Sequence, residues 1–151
     1  MFKNRLIWIP VILWMMVIFY LSHQVASESN ELSMGITKVL FEVASMIFPS
    51  LEIELFNHVI RKNAHFIAYF ILGLLTINAI YWNKKFGHKA FIIALIISIL
   101  YAVSDEIHQL FIPGRAGRLV DVLIDAFGAF CGIGVYTIGY RIIKHKRRFQ
   151  I

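Results

Sequence analysis

The chain has 151 residues, 59% of them hydrophobic and 16% charged, with a net charge of +6 and one cysteine. Soluble domains carry roughly 45 to 50% apolar and about 25% charged residues, so the length fits a single domain while the composition excludes a soluble one and excludes intrinsic disorder. Cys131 alone can form neither an intramolecular disulfide nor a cysteine-based zinc cluster, and in so apolar a chain the basic excess points to anionic lipid and topology, not to nucleic acid.

A spanning helix needs about 20 predominantly apolar residues. The first run between charge clusters, 6–21, follows Lys3 and Arg5 and carries Trp8, Trp14 and Tyr20. Pro10 falls in its first turn, where it is tolerated. A signal peptide would share the basic start and the small residues that follow at Val25, Ala26 and Ser27, but the run is at the long end for one and is read as a span. Residues 22–63 then make an extracellular segment with the carboxylates Glu28, Glu31, Glu42, Glu52 and Glu54. Within it Leu32, Ile36, Val39, Leu40, Val43 and Ile47 recur at steps of three and four, one face of an amphipathic helix that Pro49 and Ser50 end. Such a helix rests on the bundle or the membrane interface, or alternatively covers a pocket as a lid. Three further spans are expected at 64–82, 90–111 and 119–143, with Arg141 snorkelling.

Laid out alternately, the spans put ten basic residues on one side: Lys3, Arg5, Lys84, Lys85, Lys89, Arg141, Lys144, Lys146, Arg147 and Arg148. Five fall on the other: Lys38, Arg61, Lys62, Arg115 and Arg118. The positive-inside rule makes the first side cytoplasmic and places both termini there. The expected fold is all-α: a single-domain polytopic membrane protein with a four-helix transmembrane bundle and an extracellular amphipathic helix between its first two spans.

The informative residues are those that lipid should exclude. In the second span Arg61, His65 and Tyr69 recur every four residues and form one stripe. The third carries Tyr101, Asp105 and His108 on one face, with Ser104, Glu106 and Gln109 adjacent. After the turn at Pro113 and Gly114 come Arg115 and Arg118, then Asp121 and Asp125 at spacing four. At a rise of about 1.5 Å per residue, Tyr69, Asp105 and Asp125 all lie roughly 8 to 9 Å below the outer interface. The three helices therefore offer polar groups at one level, with Arg61, Lys62, Arg115 and Arg118 around a mouth facing outward. Gly128 and Gly132 form a GxxxG that continues the face of Asp121 and Asp125 and turns both aspartates into the bundle.

A charge in the membrane centre costs at least ~2.5 to 3.5 kcal/mol and calls for compensation. Mutual pairing, Arg118 with Asp121 and Arg61 with Asp105, would merely fasten helices. Functional use is the alternative, and ionisable groups inside a membrane favour it. Asp105, His108, Asp121 and Asp125, joined by His65, are ligand types for a divalent metal, although their spacing matches no specific zinc signature. As acid and base groups, Asp105, Glu106, His108, Asp121 and Asp125 could act on a lipid held by Arg61, Lys62, His65, Tyr69, Gln109, Arg115 and Arg118. A continuous ion path is disfavoured because the inner halves, such as 90–100, are apolar apart from Ser98. There is no G-x-S-x-G and no Walker loop, and the sequence names no cofactor.

At these residues the chain resembles the VanZ-like family of small bacterial membrane proteins. The resembling text runs Arg61-Lys62-Asn63-Ala64-His65-Phe66 with Tyr69 and Gly73, then Ser104-Asp105-Glu106-Ile107-His108-Gln109-Leu110-Phe111, Pro113-Gly114-Arg115, and Asp121-Val122-Leu123-Ile124-Asp125 with Gly128. Leu21-Ser22-His23-Gln24 resembles the end of the family's first span. The resemblance implies a role in the bacterial cell envelope, with low-level resistance to the lipid-bearing glycopeptide teicoplanin. The expected partners are membrane lipids, teicoplanin or a lipid-linked wall precursor. An enzyme acting on an anionic lipid at the outer leaflet is the alternative.

Overall fold

In lipid, helices meet where small side chains let their backbones approach. The computed structural model describes residues 6–82 and 87–148, and their secondary structure is helical throughout. The elements are α1 (Ile9–Ser22), α2 (Ala26–Ile47), α3 (Ile53–Trp82), α4 (His88–Gln109) and α5 (Leu119–Arg148). Along α4 the buried residues are Ala90, Ala94, Ser98 and Ala102, one small residue per turn, followed by Asp105, Glu106 and Gln109. Ile92, Ile93, Ile96 and Leu100 on the other side of the same helix are exposed, as expected of a face turned to lipid. The inward stripe of α4 therefore changes from small to ionisable as it nears the loop to α5.

The most intimate packing is between α3 and α5. A Cβ at Gly128 would overlap the carbonyl oxygen of Phe66, one at Gly132 that of Phe70, and one at Gly73 that of Ala129. The expected GxxxG is thus a backbone-to-backbone contact, and it carries Asp125 inward beside α3. Gly114 (φ +74°) makes the turn after Pro113 in the left-handed region, where a side chain would be strained.

Polar bonds fasten α1 to the bundle. The Trp14 indole donates to the Ala68 carbonyl at 2.8 Å, the Tyr101 hydroxyl to the Met15 carbonyl at 2.5 Å, and the Ser22 hydroxyl to Asp105 Oδ2 at 2.8 Å. Arg115 closes the end of α1 by donating to the carbonyls of Leu21 (3.1 Å) and Gln24 (2.9 Å). A cation at the last carbonyls of a helix also suits its dipole.

Three helices, Ile53–Trp82, His88–Gln109 and the Leu119–Lys146 portion of α5, are long and apolar enough to cross a membrane. The chain is a multi-pass, all-α membrane protein. The expected first span, 6–21, differs. Its helix has 14 residues, and it counts as a fourth span only together with α2 across a 106° bend. At 1.5 Å per residue α1 is about 21 Å long, less than the ~30 Å of hydrocarbon.

The segment expected to be extracellular, 22–63, is also divided differently, because α3 begins at Ile53, eleven residues before the expected start of the second span. The amphipathic helix is present as α2, and its apolar residues Leu32, Ile36, Val39, Leu40, Val43 and Ile47 are all exposed. What joins α2 to α3 is polar: Thr37, wholly buried, lies 2.9 Å from Asn57 Oδ1, and the Asn57 amide donates to Asn30 Oδ1 at 2.8 Å. The exposed apolar face suits a membrane interface better than a bundle surface. Of the basic residues used for orientation, Lys3, Arg5, Lys84 and Lys85 lie outside the described residues.

Candidate functional site

The ionisable residues sort into layers at the end of the bundle where α4 turns into α5. Outermost is a cavity of about 180 Å³. Arg61, Lys62, Arg115 and Arg118 line it with His58, His65, Gln109, Asp121 and small residues, including Ala26 at the start of α2. Four basic side chains thus line it with one carboxylate. Ala26 is the one α2 residue in the lining, so α2 forms part of the wall and does not lie across the cavity as a lid.

Individual partners differ from the pairing expected between charges. Asp121 takes its ion pair from Lys62, not from Arg118. Asp105, expected opposite Arg61, instead accepts from Ser22 and, at 3.4 Å, from the Gln109 amide. Arg115 directs two of its donors at the end of α1. Its burial, with Arg61 nearby, lowers its pKa from the ordinary value, but a guanidinium stays charged.

Below the cavity lies a buried layer. His65, which also lines the cavity, sets Nδ1 3.5 Å from Asp125 Oδ1, long for a hydrogen bond. Glu106 Oε2 accepts the Arg118 backbone N–H at 2.7 Å, just ahead of α5, where a carboxylate also suits the helix dipole. His65, Glu106 and Asp125 each offer a ligand atom within 4.8 Å of the others. The metal-ligand set expected from the sequence, Asp105, His108, Asp121 and Asp125 with His65, is therefore not the one brought together. Only His65 and Asp125 of that set are in it, and Glu106 completes it. Tyr69, expected to bind substrate, is fully buried and packs on Tyr101, beneath the cavity and not in its lining.

His108, expected to share an inward face with Asp105, is turned elsewhere. Its Nε2 lies 3.2 Å from His23 Nδ1; the His23 ring stacks with both Phe19 and His108, and the His108 ring is tilted against Phe19. That places it outside both the cavity lining and the buried trio. His58 is the lining residue that sequence reasoning missed. It continues the stripe of Lys62, His65 and Tyr69 one turn back, ahead of the apolar run that marks the span in the sequence.

The family model described as VanZ/LLP1 matches residues 7–141, which takes in α1 through most of α5 and every residue of both layers. The chain belongs to the VanZ/LLP1 family. No curated protein and no solved structure matches it. Membership covers the cavity and the buried layer alike, so both sit inside the family's domain and not in an appended segment.

Proposed function

We propose that this VanZ/LLP1 member works in the bacterial cell envelope. It lies in the cytoplasmic membrane with both termini inside, and it holds the anionic headgroup of a lipid or lipid-linked wall precursor at the outer leaflet. One observation carries the reading: Arg61, Lys62, Arg115 and Arg118 face a single carboxylate around a small cavity. Guanidinium groups bind phosphate or carboxylate through paired donors. About 180 Å³ is below the roughly 300 to 1,000 Å³ of pockets for drug-sized ligands, which favours a headgroup over a whole glycopeptide. Reduced sensitivity to teicoplanin, implied by the VanZ resemblance, then follows from a changed outer leaflet or from contact with the antibiotic's acyl tail.

Titrating the purified protein with short-chain phosphatidylglycerol tests the headgroup step. The Arg118→Gln variant is expected to bind about tenfold more weakly, the worth of one charge-assisted contact. Binding unchanged by that substitution defeats the proposal. Expression in a susceptible host, with teicoplanin and vancomycin inhibition measured side by side, tests the consequence. Equal sensitivity with and without the protein removes the resistance role.

A second reading, an enzyme acting on the held lipid, is favoured by the two acidic side chains and imidazole directly beneath the anion site. Asp105 and Asp121 have structural partners and His108 faces away, so this reading now rests on His65, Glu106 and Asp125. A deletion strain complemented with wild type or with Glu106→Gln is expected to differ in lipid profile between the two. Identical profiles would exclude catalysis.

A further inference from the structure

The buried layer presents carboxylate oxygens with no hydrogen-bond partner among the described residues, the imidazole of His65 standing 3.5 Å from Asp125 Oδ1. Asp125 is wholly buried, yet both its oxygens lack a hydrogen-bond partner, as does Glu106 Oε1. Glu106 is 4% exposed. Buried carboxylates are ordinarily paired or hydrogen-bonded, and two of the nearby cations are engaged elsewhere, Lys62 with Asp121 and Arg115 with the end of α1. Arg118 reaches Glu106 through its backbone N–H, on Oε2 and not on the unpartnered Oε1.

We propose that His65, Glu106 and Asp125 form a binding site for one divalent transition-metal cation of the zinc or manganese class. The three ligands come from α3, α4 and α5, so bundle packing alone assembles them. One imidazole with two carboxylates suits zinc or manganese; an all-oxygen set would suit magnesium or calcium, and thiolates would suit softer ions. Tetrahedral bonds of about 2.0 to 2.2 Å place ligand atoms roughly 3.3 to 3.6 Å apart. The His65–Asp125 separation of 3.5 Å is already close to that, and Glu106 needs only a side-chain adjustment within its 4.8 Å limit.

The surroundings fit a metal site with an open position. The Arg118 N–H on Glu106 Oε2 orients that carboxylate and leaves Oε1 free to bind, the role of an outer-shell partner. Three protein ligands leave a coordination position, and His65 borders the cavity, so that position opens toward the cationic pocket. The site does not depend on the headgroup reading: a cation can occupy it with no lipid present.

The test uses the full chain in detergent micelles, stripped with chelator and then dialysed against Zn²⁺ or Mn²⁺ at low concentration. Bound metal is measured by mass spectrometry, and Co²⁺ substitution gives an absorption signature of the ligand set. The folded wild type is expected to retain about one equivalent, and Asp125→Asn and Glu106→Gln to fall below about a tenth of that. His108→Ala, outside the trio, keeps the metal. If Asp125→Asn does not fold, His65→Ala reports on the same site from a position whose side chain is 24% exposed. No metal on folded wild type, undiminished binding in the variants, or equal competition by Mg²⁺ overturns the proposal. A wild type that retains the metal but does not bind phosphatidylglycerol would instead defeat the headgroup reading alone.

Discussion

Gly132→Ala is expected to lower the unfolding temperature of the detergent-solubilised protein clearly, whereas Gly134→Ala, two residues along the same helix, leaves it unchanged. The two sites have the same residue type and helical backbone and differ in what a methyl group would meet. At Gly132 it would overlap the Phe70 carbonyl oxygen; at Gly134 nothing lies within 4 Å. The obstacle at Gly132 is backbone, which cannot rotate away as a side chain can, so relief requires α5 to move off α3. Overpacking of this kind costs about 1 to 3 kcal/mol. Gly128→Ala, against the Phe66 carbonyl, should behave alike. Because Asp125 stands one turn from Gly128, the same displacement should also weaken metal retention at the trio. Thermal unfolding followed by tryptophan fluorescence checks the first effect. Equal midpoints for Gly132→Ala and Gly134→Ala would show that this contact does not hold the bundle.

That these polar groups turn inward was legible in the sequence: counting residues at constant helical rise put Tyr69, Asp105 and Asp125 at one level, and each of the three is buried. The inward direction of Asp125 was legible from Gly128 and Gly132 for the same geometric reason. What the spacing misled on was the rotation of α4. His108 is three residues from Asp105 and looks coplanar with it, yet it lies about 120° around the helix from Ala102 at 100° per residue. Ala90, Ala94, Ser98 and Ala102 mark the inward direction and point ahead to Asp105, Glu106 and Gln109. Reading the small residues as the buried face, as lipid requires, would have kept Glu106 and dropped His108. The start of α3 was missed for a different reason. Arg61 and Lys62 mark where apolar sequence begins, not where the helix begins, and a helix can outlast the hydrocarbon it crosses. The bend after α1 left no comparable trace. Three residues, His23 to Val25, turn the chain by 106°, held by Arg115 from a loop some 90 positions away, and a contact that distant has no local signature.

Lys62→Met separates two roles that one side chain could combine. Lys62 lines the cationic cavity and is also the ion-pair partner of Asp121, with side chains 23% and 12% exposed. Removing the ammonium leaves Asp121 at the mouth without its cation. Breaking a fully buried pair costs about 3 to 5 kcal/mol, and partial exposure reduces that here to about 1 to 3 kcal/mol. The double variant Lys62→Met with Asp121→Leu should recover most of the lost stability, since replacing both members of a buried pair by apolar groups is often neutral. Headgroup affinity should follow the other pattern. It should fall in Lys62→Met and recover only partly in the double variant, which removes the repelling carboxylate but restores no cation to the lining. Asp121→Asn alone, which frees the ammonium, should raise affinity for phosphatidylglycerol above wild type. Affinity recovering to the wild-type level along with stability in the double variant would make Lys62 a fastener only, and the anion site would then rest on Arg61 and Arg118.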